Sequence, residues 1–514
     1  MTQTRNILIV SVAIVVFGIL LALLVSQNTG SDNDEQASDE EVVETVVSDE
    51  NEWNYSYVGL PDGVLISDPT IIDVWRQEEN LAAMREHAWA TWVAMTTDSG
   101  FVAPSGEAMP VWDTWYTPYD LYQNPPSSAD DLGSAHDFNA TAQHVGIHTD
   151  TRLESDLLGF NKFNQPYVDH IWSNNYETTE GLSAALDSCE DGAICAIENF
   201  PFNAVSTKPV FMPVSANGIT IIPVWRGIYP TGTSENPSTT WTIDSTAGVG
   251  SETWLQCVAI DTTGTYNIGD EITGIDGGSN LSCTSASVVS MDDFYQLTIM
   301  ADDLTKQGNE QGFQNINQLN AETNAIEETA VAAGDMAVFV AMHVSTREID
   351  QWVWFTVWWS PTPDDGIQIP IQYMTTQDAI EDGAMYDNYP GGGADRPESL
   401  DGTIWENYVI CTNYQYVSPA QGLNDPRNPD LTPEFCFNPY LEALFTQEQV
   451  APMGGINTNC MACHGNANWD GDLGYTSAMY IPRNDPQFDG LLQTDFAWSI
   501  STYVATPEPP SSGG

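Results

Sequence analysis

Five residues near the C-terminus, Cys460-Met461-Ala462-Cys463-His464, constrain this chain more than any other feature. In a C-x-x-C-H run two thiols can form thioethers to neighbouring pyrrole vinyl groups of a haem, while the adjacent imidazole reaches the iron. With 8 Cys and 7 His in 514 residues, an accidental match is expected on the order of 0.002 times. A zinc site would need a second ligand pair, and no other C-x-x-C or C-x-x-H run occurs. The motif therefore predicts one covalent haem c, bound through Cys460 and Cys463 with His464 as proximal iron ligand.

Thioether-bound haem implies an exported chain, and the N-terminus agrees. Ile7 to Val25 is an apolar run interrupted only by Ser11 and Gly18. Its residues would span about 28 Å as a helix, close to the hydrocarbon thickness of a bilayer. An h-region of about 7–15 residues followed by small residues would mark a cleaved signal, and neither fits well. Arg5 on one side and an acidic stretch on the other orient the bulk outward. Residues 1–26 are thus expected to be a transmembrane anchor or uncleaved signal. That places the protein on the extracytoplasmic face of a bacterial cytoplasmic membrane, periplasmic or at the cell surface. Residues 27–52, crowded with Asp and Glu, read as an extended linker, and 506–514 (TPEPPSSGG) as a disordered tail.

Outside the motif an even number of Cys remains, in keeping with an oxidising compartment. Their order suggests the local disulfides Cys189–Cys195, Cys257–Cys283 and Cys411–Cys436, the simplest of 15 pairings that 6 Cys allow.

Between linker and tail the pattern predicts an α+β fold with mixed helices, antiparallel strands and much loop. A body at 53–435 would precede a haem-binding region at 436–505, and this length makes two subdomains plausible. Gln77 to Met95 reads as a helix, with Leu81, Met84, Ala88, Trp92 and Met95 on one face. Asn438 to Gln449 reads as another, Asn438 capping it and Pro439 opening it. Val210 to Val224 reads as two short strands around an Ala-Asn-Gly turn. Residues at about 238–300, rich in Thr, Ser, Gly and Val, suggest a β insertion pinned by Cys257–Cys283. Met336 to Val344 and Gln351 to Trp359 read as a further strand pair, and 386–402 as a loop.

Several segments share an order with a known pattern. Ala88-Trp89-Ala90-Thr91-Trp92-Val93-Ala94-Met95 is similar to Ala-Trp-x-x-Phe-Val-Ala-Leu. Met109-Pro110-Val111-Trp112-Asp113-Thr114-Trp115 is similar to Pro-x-Val-Trp-Glu-Thr-Trp. Phe200 to Phe211, with Lys208, looks like a Phe-Pro…Ile-Glu-Val-Lys-x-x-Trp signature. Ala341-Met342-His343-Val344 and Trp352 to Val357 look like Gly-Met-His-Ile followed by Trp-Val-Trp-Ser-Thr-Phe. Asn459 to His464 and Asp495-Phe496-Ala497-Trp498 complete the series. Together, over roughly residues 80–500 apart from the β insertion, they resemble a family of large, exported, single-haem c-type cytochromes of bacteria, usually without an assigned physiological role. Trp358-Trp359 depart from that family's Glu-plus-polar ending.

His464 leaves one axial position of the iron. The resemblance puts a His at residue 343, beside an aromatic run suited to a dry pocket, so His343 is the leading candidate. Met479 and Met453 are weaker ones, and a five-coordinate or water-ligated iron stays open. Six-coordinate iron implies one-electron transfer. An open site implies a haem enzyme, peroxidase-like or acting on a small molecule, and a structural or sensory haem protein of a surface complex is a third class. His144 and His148, with His136 nearby, sit in a Gly- and Thr-rich setting that reads as loop rather than metal site. Asp470-Gly471-Asp472 reads as an ordinary turn. No Gly-x-Ser-x-Gly, His-Glu-x-x-His or P-loop run occurs.

The charge is extreme: 12 Lys+Arg against 72 Asp+Glu, a formal net charge of −60. Repulsion excludes nucleic acid and anionic membrane surfaces as partners, leaving the N-terminal helix as the membrane contact. Such a surface could steer a basic redox partner protein, or be an adaptation to high salt. Acidic residues spread along the whole chain favour the second, because screening removes their repulsion. Stability is accordingly expected to fall in low salt; equal unfolding midpoints with and without molar NaCl would overturn this.

Overall fold

The computed structural model describes residues 55–78, 80–103, 106–123, 158–189, 194–224, 256–277, 283–301, 303–304, 315–361, 363, 395–414, 438, 440–441, 460–469 and 483–504. The expected anchor, acidic linker and tail lie outside these residues, as do nearly all of the expected helix after Asn438 and most of the 386–402 loop. Among the described residues no helix is long and apolar enough to cross a membrane.

Two helices, α1 (Pro69–Gln77) and α2 (Leu81–Thr96), open the described chain. The single helix expected from Gln77 is corrected here: the chain breaks before Asn80, whose side chain caps α2 by accepting from Ala83 N at 3.2 Å. α1 begins in the same way, with Asp68 accepting from Thr70 N and Pro69 in the first turn, where its missing N–H costs nothing. Strands β1 (Asp98–Val102) and β2 (Ala108–Pro110) form a small antiparallel pair.

The main sheet has seven strands: β3 (Leu158–Gly159), β4 (Lys162–Phe163), β5 (Val205–Val214), β10 (Gln296–Thr298), β13 (Met336–Thr346), β14 (Val353–Trp359) and β15 (Tyr408–Asn413). Its centre runs β15-β14-β13-β5, all antiparallel. The β13–β14 pair corresponds to the expected strand pair. Nearly every residue of β13 and β14 is buried, as befits a sheet covered on both faces. One face packs on α2, where Trp92 lies with ring centroids 6.3 Å from Phe339 and 5.9 Å from Tyr408. Helices α3 (Gln165–Ser173) and α4 (Thr179–Asp187) follow β4. Tyr167 of α3 stacks on Phe163 and Phe200 and meets the edge of Trp352.

The second sheet has six strands, in the order β12-β11-β6-β7-β9-β8. They are β6 (Ile219–Val224), β7 (Gln256–Asp261), β8 (Glu271–Thr273), β9 (Ser285–Val289), β11 (Asn315–Asn320) and β12 (Ala325–Ala330). It carries its own apolar cluster, including Ile221, Ala259, Val288 and Leu319, around the Cys257–Cys283 disulfide. This sheet thus reaches beyond the expected insertion at both ends. The Val210–Val224 reading is also corrected: both strands exist, but β5 and β6 belong to different sheets. The turn between them is held by Ser215 N donating to Thr220 Oγ1 and Gly218 N donating to Thr262 Oγ1, so it hands the chain from one sheet to the other.

The C-terminal segment is built from α5 (Cys460–His464), β16 (Asn468–Trp469), β17 (Leu492–Gln493) and α6 (Trp498–Tyr503). Cys189 and Cys195 form the expected disulfide, while Cys411 is disulfide-bonded and its expected partner Cys436 lies outside the described residues.

α2 is also tied to Asp395, far along the chain. Arg85 donates to both carboxylate oxygens of Asp395, at 2.5 and 2.7 Å, and Trp89 Nε1 donates at 2.9 Å. Burial alone would raise the Asp395 pKa, but these bonds and the Arg85 charge hold it below its ordinary 3.8. A depressed folded pKa means stabilisation that is complete above the ordinary value and lost as pH falls through the depressed one. Asp395→Asn is therefore expected to be less stable than wild type at neutral pH. The gap in unfolding midpoint should close as the pH is lowered through the acid limb.

Candidate functional site

Antiparallel register lines up Lys208 (β5), His343 (β13), Thr356 (β14) and Cys411 (β15) in one row across the main sheet. Directly opposed residues in neighbouring strands bring their Cβ atoms to about 4.5–5.5 Å. Because side chains alternate, this row lies on the face opposite to the one that meets α2. A β-bulge between Phe339 and Ala341 shifts the register, so that Phe339 stays with the α2 face while Ala341 and His343 turn to the other.

Thr356 organises the row. Its hydroxyl donates to Met342 O at 3.1 Å and accepts from Asn438 Nδ2 at 2.7 Å. With that proton committed, His343 Nδ1, 2.9 Å away, is the donor to Thr356 Oγ1. In that tautomer of His343 the lone pair is on Nε2. Asn438 also donates to Val357 O and accepts from Tyr440 N, so Asn438 and Tyr440 are pinned to β14.

His464 meets this face. Its ring centroid lies 4.3 Å from that of Trp354, two residues before Thr356 on the same side of β14. His464 Nδ1 is 2.9 Å from Phe496 O. A carbonyl can only accept, so Nδ1 carries the proton and Nε2 of the neutral ring holds the lone pair. Burial pushes the His464 pKa down to about 3; the charges of His343 and Lys208 add to the shift, and the Phe496 carbonyl opposes it. The shift favours the neutral imidazole, the form that binds metals.

The Phe496 carbonyl reaches His464 through an unusual turn. Asp495 and Phe496 have φ of +46° and +70°, two consecutive non-glycine residues in the left-handed region. Each such residue costs about 1–3 kcal/mol and persists only where its surroundings over-determine it. Here Thr494 N donates to Ala467 O, Ala497 N to Thr494 O, and Thr494 Oγ1 to Ala497 O. Asp495, buried, accepts from Phe200 N at 3.0 Å and from Arg347 Nε at 2.9 Å, both on Oδ2, while Arg483 lies 3.9 Å from Oδ1.

The structure thus brings His464, His343 and a buried Cys460 to one region, with Cys463 three positions on from Cys460 in the same short helix. Met479, Met453, His136, His144, His148 and Asp470 to Asp472 lie outside the described residues. Sequence reasoning singled out neither Arg347 nor Thr356. Asp495 and Phe496 figured only as part of a resemblance, and Lys208 likewise. Comparison with protein-family models, with curated proteins and with solved structures finds no match to this chain.

Thr356→Val keeps the shape of the side chain but leaves His343 Nδ1 and Asn438 Nδ2 without this acceptor. A loss of about 0.5–1.5 kcal/mol per hydrogen bond removed is expected in denaturant unfolding.

Proposed function

We propose that this chain is an exported monohaem c-type cytochrome whose work is one-electron transfer to another redox protein. The observation that carries the reading is the setting of His464, directly after Cys463: its Nδ1–H is committed to the Phe496 carbonyl, 2.9 Å away. That is the tautomer a proximal ligand needs, with Nε2 left to bind iron. The residues present fit the group: Cys460 and Cys463 for the thioethers, His464 for one axial position, and His343, its Nδ1 likewise committed, for the other. Bound haem supplies reversible one-electron chemistry at iron.

The chain's own part is positioning and exclusion of water. Thr356 orients His343 as Phe496 orients His464. Trp354 covers the His464 ring, and the flanking strands are buried on both faces, which favours a dry, low-dielectric site. Were His343 and His464 both to bind the iron, electron transfer would be favoured over turnover of a substrate there. An N-terminal membrane anchor, an extracytoplasmic location and a basic redox partner drawn to the acidic surface belong to the same proposal.

Covalent attachment is tested by acid–acetone extraction: the haem band should stay with the protein, and Cys460→Ala with Cys463→Ala should release it. The wild-type spectrum should be low-spin and indifferent to cyanide and peroxide, and His343→Ala should convert it to high-spin. A wild-type high-spin ferric spectrum with rapid peroxide reaction would overturn the carrier reading in favour of a haem enzyme.

A further inference from the structure

The turn that carries the Phe496 carbonyl is anchored by residues far away in sequence. Arg347, in the connection between β13 and β14, is buried and spends its donors locally. Nε donates to Asp495 Oδ2 at 2.9 Å, Nη1 to Ile349 O at 2.7 Å and Nη2 to Asp350 Oδ1 at 3.2 Å. Its own backbone N donates to Ala204 O, just ahead of β5. The guanidinium is thus fixed relative to the main sheet. Asp495 is held from a second direction by Phe200 N. Asp tolerates positive φ better than most residues, but Phe496 does not, and the local bonds of Thr494 and Ala497 close the turn without fixing it to the main sheet. That anchoring comes from the buried, charge-assisted bond between Asp495 and Arg347.

We propose that Arg347 and Asp495 form a positioning clamp that sets the hydrogen bond from His464 Nδ1–H to the Phe496 carbonyl, and through it the reduction potential of the iron bound by His464. The proposal rests on the haem reading above. A firmly held Nδ1–H···O bond makes the imidazole a more basic ligand, which favours the oxidised iron. Loosening the turn weakens that bond and favours the reduced iron. Both residues act through the Phe496 carbonyl rather than by touching the reacting atoms.

The test compares Asp495→Ala, Asp495→Asn and Arg347→Gln in the haem-loaded full chain. Asp495→Ala removes both acceptor oxygens. Asp495→Asn keeps an acceptor, and a residue that tolerates positive φ, but loses the charge. The expected order of midpoint potential is Ala above Asn above wild type. Asp495→Ala should shift the reduction equilibrium about tenfold, which is about 59 mV for one electron, and Arg347→Gln should move in the same direction. Hydrogen exchange of His464 Nδ1–H, followed by nitrogen-15 NMR, should quicken in the same order, and this readout does not require haem. Covalent haem retained with unchanged potential and unchanged exchange would overturn the clamp. If wild type lacks covalent haem, the haem reading fails and the potential-setting role falls with it, while the exchange measurement still decides whether the clamp holds the bond. Should Asp495→Ala not fold, the Asn and Gln variants carry the same comparison.

Discussion

The buried ion pair between Arg347 and Asp495 is the interaction on which the candidate site depends. Taking both charges out of water is expensive, and such a pair persists only with good geometry and its remaining hydrogen-bonding capacity well used. Arg347 meets this through two further acceptors; on Asp495 the Phe200 amide shares Oδ2 with Arg347, while Oδ1 faces Arg483 at 3.9 Å. The result is a connection between the main sheet and the C-terminal segment that apolar packing alone would leave free to slide. Apolar contacts are non-directional, whereas a charged fork against a carboxylate specifies orientation.

The same β13–β14 connection ties the opposite side of the sheet. Glu348, next to Arg347, is also buried; its Oε1 accepts from Ile66 N, and its Oε2 accepts from the Thr346 hydroxyl. His87 of α2 brings Nε2 to 3.1 Å from Glu348 Oε1, and its Nδ1 lies 2.5 Å from the Tyr414 hydroxyl. Two adjacent residues of one turn therefore anchor α2 on one side and the C-terminal segment on the other. A second buried cluster, Lys162 with Asp113 and Tyr295, fastens β4 to the chain that follows β2. Burial raises the Asp113 pKa against the lowering effect of Lys162. In a chain with so few basic residues, placing Lys162, Arg85 and Arg347 in the interior concentrates positive charge where it directs structure.

What was legible in the sequence had short-range causes. The strand pair around His343 could be read because β-branched and aromatic residues run through it. α2 could be read because its apolar residues recur at helical spacing. Errors arose where a local signal admitted two outcomes. Periodicity ran through Asn80, yet one helix ends at Gln77 and the Asn80 side chain caps the next. The Ala-Asn-Gly turn was visible, but whether the strands it joins pair with each other depended on partners elsewhere, β13 for β5 and β7 for β6. The bulge at Phe339/Ala341, which decides the face His343 occupies, has no glycine to announce it.

By itself the sequence determined the chemistry on offer: two thiols and an imidazole at fixed spacing, a second His within an aromatic run, and a surface of overwhelming negative charge. These are properties of residue type and near neighbours. Only the tertiary structure decided which imidazole nitrogen His464 keeps for a ligand, because the deciding carbonyl belongs to Phe496, 32 residues on. It also decided that Arg347, 148 residues before Asp495, holds that carbonyl's turn in place. Hydrogen bonds between residues so far apart leave no periodic trace along the chain, since they depend on where the folded sheet delivers each group.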